Sequence, residues 1–315
     1  MRELGGYIEF EHYSGKALHE EGVALNCGRN CLAYLLEVRG IKCIALPYFN
    51  CDTVAAVCRK QGVKIRYYHS EQDFLPENLK LWDDEWIYVV NYYGQITAEQ
   101  IKKLKDNYQR LIVDNAQAYF AEPVTGVDTI YTCRKFFGVA DGAFLFTEAK
   151  LNRGLQQDES YRRMEFLLGR FERTASEFYE GYVSNNEFFD DEPVKQMSKL
   201  TENLLRGIDY EETRKRREAN FEFLQDKLGI INELSPRCNP GPFMYPLLLR
   251  NGKDVRRQLH ARKIYVPTLW PDVFEVCEPE DREYDWAANI VPLPIDQRYG
   301  RTDMQYLAES VTALL

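Results

Sequence analysis

Short apolar runs alternate with helical spacing through the first half of the chain. Gly22-Val23-Ala24-Leu25 has the composition of a strand. After Asn26-Cys27-Gly28-Arg29-Asn30 the chain is apolar nearly all round to about Arg39 (Cys31, Leu32, Ala33, Leu35, Leu36), which predicts a buried helix. Cys43-Ile44-Ala45-Leu46-Pro47 reads as the next strand. Val54, Val57 and Cys58 then recur at i, i+3, i+4, the spacing of one helix face. Residues 63–68 and 86–91 are strand-like. Thr97-x-x-Gln100 is a capping box that opens a helix with Ile101 and Leu104 on one side. Leu111-Ile112-Val113, Asp128-Thr129-Ile130-Tyr131 and Gly142-Ala143-Phe144-Leu145-Phe146 complete the series.

Beyond about Lys150 the pattern changes. Tyr161, Met164, Leu168, Phe171, Ala175 and Phe178 fall at steps of three and four and predict one long amphipathic helix. Residues 184–192 are polar and acidic, Pro193 punctuates them, and a second helical stretch is predicted over 194–227. The remainder reads as strands at 243–249, 264–266 and 290–293, a helix at 253–262, and a last helix capped by Thr302 with Met304, Leu307, Val311 and Leu314 on its apolar side. The expected architecture is α/β: a mainly parallel sheet sandwiched by helices over residues 1–205, followed by a smaller C-terminal α/β domain over 206–315. In such sheets ligands bind at the carboxyl ends of the strands. Segments 26–30, 47–52, 91–94, 114–117 and 132–135 all fall at such ends.

Composition narrows the function classes. Of 315 residues, 45% are hydrophobic and 28% charged, ordinary values for a globular enzyme, and the net charge of −9 gives no electrostatic reason to bind nucleic acid or an anionic membrane. No apolar run reaches the roughly 18 residues a membrane span needs. The first residues, Met1-Arg2-Glu3-Leu4-Gly5-Gly6, lack the apolar core of a signal peptide, so a cytoplasmic protein with reduced cysteines is expected. The eight cysteines are scattered and only four histidines exist, so no zinc-ligand spacing is complete and no metal is expected.

Candidate chemistry centres on Asp114 and Lys135, each at the end of a predicted strand. An acid and an amine so placed are what pyridoxal phosphate (PLP) needs from a protein: the lysine forms a Schiff base and the carboxylate keeps the pyridine nitrogen protonated. Phe136 and Phe137 predict a packed, desolvating environment for the amine. Asp114, after three aliphatic residues, requires exposure or a buried cationic partner. Gln117, three residues on, can aim its amide at the cofactor's phenolic oxygen. Gly28, Arg29 and Asn30 open the first buried helix, whose N–H groups and dipole suit a phosphate, and Thr132 can add a hydroxyl. There is no G-x-G-x-x-G or P-loop signature.

At these residues the chain resembles the DegT-type aminotransferases, the nucleotide-sugar branch of the fold-type I PLP enzymes. The similarity runs through Leu25-Asn26-Cys27-Gly28-Arg29-Asn30, Leu46-Pro47-Tyr48-Phe49-Asn50-Cys51-Asp52, Asn91-Tyr92-Tyr93-Gly94, Asp114-Asn115-Ala116-Gln117, Thr132-Cys133-Arg134-Lys135 and Leu293-Pro294-Ile295-Asp296-Gln297-Arg298-Tyr299. The resemblance implies that Lys135 holds PLP and shuttles a proton. It implies that Asp114 pairs with the ring nitrogen and Gln117 with the phenolic oxygen, and that Gly28, Arg29 and Thr132 cradle the phosphate. The position that stacks on the ring corresponds to Cys51, with Phe49 or Tyr48 as alternatives. The family is homodimeric with shared active sites, and Ser184-Asn185-Asn186 is the candidate reach into the partner. Arg134, Tyr92 and Tyr13 are candidate substrate residues. The implied reaction moves an amino group from a donor such as glutamate to a keto acceptor, plausibly a nucleotide-linked sugar. A lyase, dehydratase or racemase on the same cofactor, or a non-catalytic relative, are the alternatives. The chain is shorter than most members, and Gly138-Val139-Ala140-Asp141-Gly142 replaces the usual glycine-rich turn after the lysine.

Overall fold

A computed structural model describes residues 4–315. Seven strands form the main sheet: β1 (Val23–Leu25), β2 (Cys43–Pro47), β3 (Lys64–Tyr68), β4 (Glu85–Val90), β5 (Leu111–Asp114), β6 (Asp128–Thr132) and β7 (Ala143–Phe146), in the order β1-β7-β6-β5-β4-β2-β3. From β3 to β6 neighbours run parallel, and β7 is antiparallel to both β1 and β6. The mainly parallel, helix-covered sheet expected from the alternating pattern is therefore present. Helices α1 (Gly28–Val38), α2 (Asp52–Lys60) and α3 (Ala98–Asn107) join its strands. Helix α1 is buried from Asn30 to Leu36, as its all-round apolar character requires. The Thr97–Gln100 capping box forms and opens α3.

The register positions the site. Asp114, the last residue of β5, lies opposite Val90 on one side and Ile130 on the other. Thr132 ends β6 next door, and Lys135 follows in the turn beyond it. Carboxyl ends of the central strands thus converge, as the topology of parallel sheets dictates.

The stretch expected to be one long helix is a hairpin of α4 (Glu165–Glu172) and α5 (Tyr179–Glu187), each preceded by a short 3-10 turn. Two local features break it. Thr174 donates to Glu177 through its hydroxyl at 2.7 Å and its backbone N–H at 3.4 Å, closing a tight turn between the two helices. Gly169 has no side chain to block the Phe178 ring, which packs directly against it. The stretch 194–227 also divides, into α6 (Lys199–Arg206) and α7 (Tyr210–Leu228). Ser198 caps α6 by accepting from Thr201 N at 3.2 Å, and Asp209 caps α7 by accepting from Glu212 N at 2.9 Å.

The C-terminal part is built on an antiparallel pair, β8 (Met244–Leu248) and β9 (Ile290–Pro294), with α8 (Gly252–Ala261), α9 (Val273–Val276), α10 (Arg282–Asn289) and α11 (Arg301–Thr312). Phe221, Leu224 and Leu228 of α7 pack there with Tyr245, Val255, Leu293 and Leu307. Leu248, Trp270 and Trp286 instead join the core of the main sheet, so the two packing units are continuous. Residues 264–266 form no strand. Val266 is buried, but its carbonyl meets the His260 ring at 2.9 Å rather than a neighbouring strand. Helix α11 is capped not by Thr302 but by Asp303, whose carboxylate accepts from Gly300 N at 2.8 Å.

Candidate active site

Asp114 is buried at the end of β5. Tyr88 Oη donates to its Oδ2 at 2.8 Å, and Ala116 N donates to Oδ1 at 2.8 Å. Burial pushes the carboxyl pKa up; the charge of Lys135 and the two hydrogen bonds pull against it without cancelling it. A carboxylate so enclosed is completed by a cation. Gln117 is buried beside it. Tyr93 N donates to Gln117 Oε1 at 2.8 Å, and Gln117 Nε2 has no hydrogen-bond partner among the described residues. A buried amide donor left open costs about 1–3 kcal/mol unless a ligand accepts from it.

Lys135 lies in a turn where Cys133 O accepts from Phe136 N (3.0 Å) and Phe137 N (2.9 Å). The packed surroundings expected for the amine are not there: Lys135 is exposed. Phe136 and Phe137 turn away from it into a cluster with Tyr119, Phe120 and Tyr210. The aromatic that does face the amine comes from far along the chain, with the Phe243 ring centroid 5.8 Å from Lys135 Nζ. The charge of Lys135 acts on both Asp114 and Cys51, and the space before these strand ends is the candidate site. Cys51 is the N-cap of α2, its thiol 3.1 Å from Thr53 Oγ1 and raised in pKa chiefly by burial. Its two aromatic alternatives are elsewhere. Phe49 is fully buried against Tyr92, Trp270 and Trp286, and Tyr48 stacks on Tyr67 and His69.

The start of α1 adjoins the end of β6. Cys27 is its N-cap and makes no side-chain cap hydrogen bond. A Cβ added at Gly28 would stand 3.8 Å from Thr132 Cβ, so the helix start and the Thr132 side chain share one corner. The Asn30 side chain is engaged in structure: its Nδ2 donates to Asn26 Oδ1 (2.9 Å) and Pro193 O (2.8 Å). Arg29 donates to Asn186 O at 3.2 Å and pairs with Asp190. Arg134 donates to Asn186 Oδ1 and lies 4.9 Å over the Phe189 ring; burial, helped by the nearby Arg29 and Arg163, lowers its pKa. The stretch expected to reach a partner thus contacts arginines of its own chain, and Asn185 donates to Ala140 O at 2.9 Å.

Two substrate candidates lie away from this space. Tyr92 is buried between Phe49, Phe74 and Trp270 and donates its hydroxyl to Phe49 O. Tyr13 packs on Phe10 and Gly207, and its N–H donates to Asn203 Oδ1 at 2.9 Å. Conversely, Tyr88 and Phe243 border the site without having been singled out in the sequence. Tyr88 carried a readable signal, since a tyrosine inside an apolar strand needs a hydroxyl partner. Phe243 carried none.

No helix among the described residues is long and apolar enough to cross a membrane. All eight cysteines are unpaired, and no cluster of three His, Cys, Asp or Glu side chains suited to a metal ion occurs among the described residues. No family model and no curated protein matches the chain by sequence. Solved structures match it by fold. A DegT/DnrJ/EryC1/StrS aminotransferase from Brucella abortus superimposes with a TM-score of 0.62 at 14% identity, covering 93% of this chain and 85% of that one. The sugar aminotransferase CalS13 of Micromonospora echinospora gives 0.59 at 16% identity, over 92% and 86%. Spr1654 of Streptococcus pneumoniae in its PLP form gives 0.66 at 12% identity, over 94% and 88%. At these identities the likeness establishes the fold, which is that of the fold-type I aminotransferases.

Proposed function

We propose that this chain is a PLP-dependent aminotransferase of the DegT type, taking an amino group from glutamate or a similar donor and delivering it to a keto group on a nucleotide-linked sugar. The observation that supports the reading is the placement of three groups at or just beyond adjoining strand ends: the buried carboxylate of Asp114, the open Nε2 donor of Gln117 and the amine of Lys135. The residues fit the cofactor. Asp114 would hold the positive ring nitrogen and Gln117 Nε2 would donate to the phenolic oxygen. The uncapped start of α1 at Gly28 and Arg29, with the Thr132 hydroxyl, would take the phosphate. Cys51 would lie against the ring. Bound PLP supplies an electron sink that lets an amino acid release its α-proton and exchange its amine. Lys135 Nζ would hold the cofactor and carry that proton. The structural neighbours named as sugar aminotransferases, and the one solved with PLP, support this choice of chemistry and acceptor.

Second copies of the chain complete the proposal. Leu168 and Phe171 of α4 and Tyr179 and Tyr182 of α5 are exposed, an apolar face of the kind another subunit covers. The test begins with purified protein and PLP. A visible absorbance band is expected in the wild type and absent in Lys135→Ala. Glutamate with a panel of nucleotide-linked keto sugars is expected to yield 2-oxoglutarate, with turnover at least ~10³-fold lower in Lys135→Ala. No band in the wild type overturns the cofactor. A band with another amino acid altered, and no 2-oxoglutarate, moves the reading to a different PLP reaction.

A further inference from the structure

Arg217 lies on α7 and is 1% exposed. A buried guanidinium ordinarily faces a carboxylate. This one is satisfied by a side-chain amide and three main-chain carbonyls. Its Nε donates to Gln297 Oε1 (2.9 Å), one Nη to Pro242 O (3.0 Å) and Phe243 O (3.3 Å), and the other Nη to Phe136 O (3.4 Å). The guanidinium carbon also lies 4.6 Å from the centroid of the Phe136 ring. Gln297 Nε2 adds a second donor to Phe136 O, at 2.8 Å. Burial lowers the Arg217 pKa to about 10, with Asp296 opposing that shift.

The carbonyls so gathered are not arbitrary. Phe136 directly follows Lys135, and its carbonyl receives two donors from residues 81 and 161 positions further along the chain. Phe243 carries the ring that faces the Lys135 amine. One planar fork therefore joins the peptide behind the lysine to the residue in front of it. Lys135 itself is exposed on a turn, at the end of a side chain with four rotatable bonds, and no hydrogen bond fixes its amine among the described residues. A shift of about 1 Å at a reacting group costs on the order of 10²-fold in rate. An apolar residue of similar volume would be cheaper to bury than a guanidinium. Only a multi-donor fork reaches three carbonyls in two separate segments at once.

We propose that Arg217, with Gln297, is a positioning residue for Lys135, locking the lysine turn against the 242–243 segment so that the amine stays aimed into the space before Asp114. The inference rests on Lys135 being the reactive amine of the proposed aminotransferase.

The test uses the full chain with Gln297→Leu, which removes both a donor to Phe136 O and the acceptor of Arg217 Nε at a partly buried position, and Arg217→Lys, which keeps the charge and loses the fork. Folding is checked by circular dichroism. Amide hydrogen exchange at Phe136 and Phe137, read without cofactor, is expected to quicken about tenfold or more in both variants, with β4 and β5 unchanged. Borohydride trapping of PLP followed by peptide mapping is expected to label Lys135 about tenfold more slowly in the variants. Binding of pyridoxine 5′-phosphate, which has no aldehyde to react, should stay at the wild-type level. Wild-type labelling of Lys135 with unchanged rates in both folded variants overturns the positioning role, whether or not exchange changes. No label on Lys135 in the wild type brings down the aminotransferase reading, and this inference with it.

Discussion

At the residue scale, Asp114 is placed at a cost that the empty fold does not recover. Burial raises its pKa above the ordinary carboxylate value, against Lys135, Ala116 N and Tyr88. The folded state therefore holds the proton more tightly than the unfolded state. As pH rises from the unfolded value through the raised one, folding loses stability, and above that window the ionised carboxylate remains a standing penalty. Without cofactor, Asp114→Asn is expected to melt higher than the wild type at pH 7–8, with the gap closing as pH falls toward about 4. With PLP, the same variant should lose about 10²-fold or more in turnover. Thermal melts of both proteins across that range check the first part, and a gap that does not depend on pH would contradict it. The placement of Asp114, Gln117 and Lys135 at or beyond strand ends was readable from the sequence because each ends or follows an apolar run. The surroundings of Lys135 were not. Phe136 and Phe137 are its sequence neighbours, but their rings are buried in a cluster with Tyr119 and Phe120 while Lys135 stays exposed. The groups that do face or hold the site, Tyr88, Phe243 and Arg217, come from other elements, so proximity along the chain does not reveal them.

At the element scale, the turn between Lys135 and β7 is pinned from outside. Asp141 is fully buried and accepts from Ser198 N (2.7 Å), Ser198 Oγ (2.7 Å) and Thr201 Oγ1. It thus anchors the first turn of α6 to the strand that follows the lysine. Gly142 beside it has φ +110°, and an added Cβ there would lie 2.9 Å from Thr201 Cγ2. Asp141 and Gly142, part of the segment that replaces the glycine-rich turn usual in the family the sequence resembles, are thus tied into α6. Asp141→Ala leaves one amide and two hydroxyls without their acceptor. Hydrogen bonds to a charged group contribute about 1.5–3 kcal/mol each and are not additive, so a loss of roughly 3 kcal/mol is expected in urea denaturation. A loss below about 1 kcal/mol would show that α6 is held by other means. Elements with strong periodicity, from β1 to β7, were legible in the sequence. The breaks were legible too, in the Thr174-x-x-Glu177 turn and the Asp209-x-x-Glu212 cap, but a continuous apolar stripe outweighed them. Segment 264–266 misleads for the opposite reason, because burial of Val266 imitates a strand that has no partner.

At the scale of the whole molecule, the α4–α5 hairpin joins the question of assembly to that of the site. Its period of three and four was real, yet the stripe divides: Met164 packs inward, while Phe171 is 93% exposed and Leu168, one turn before it on the same face, is 61% exposed. Covering each such side chain is worth about 1.5–3 kcal/mol, and a twofold contact counts every residue twice. The far end of the hairpin carries Asn186 and Asp190, which engage Arg134 and Arg29 beside the start of α1. A second copy seated on the hairpin would therefore steady the corner proposed to take the phosphate. The wild type is expected to sediment as a dimer at micromolar concentration. Leu168→Glu with Phe171→Glu should sediment as a folded monomer, with unchanged circular dichroism, because neither side chain supports the core of its own chain. If the coupling holds, that monomer binds PLP about tenfold more weakly. A monomeric wild type removes the dimer from the proposal. A monomeric variant with wild-type PLP affinity shows instead that each chain completes its phosphate corner alone.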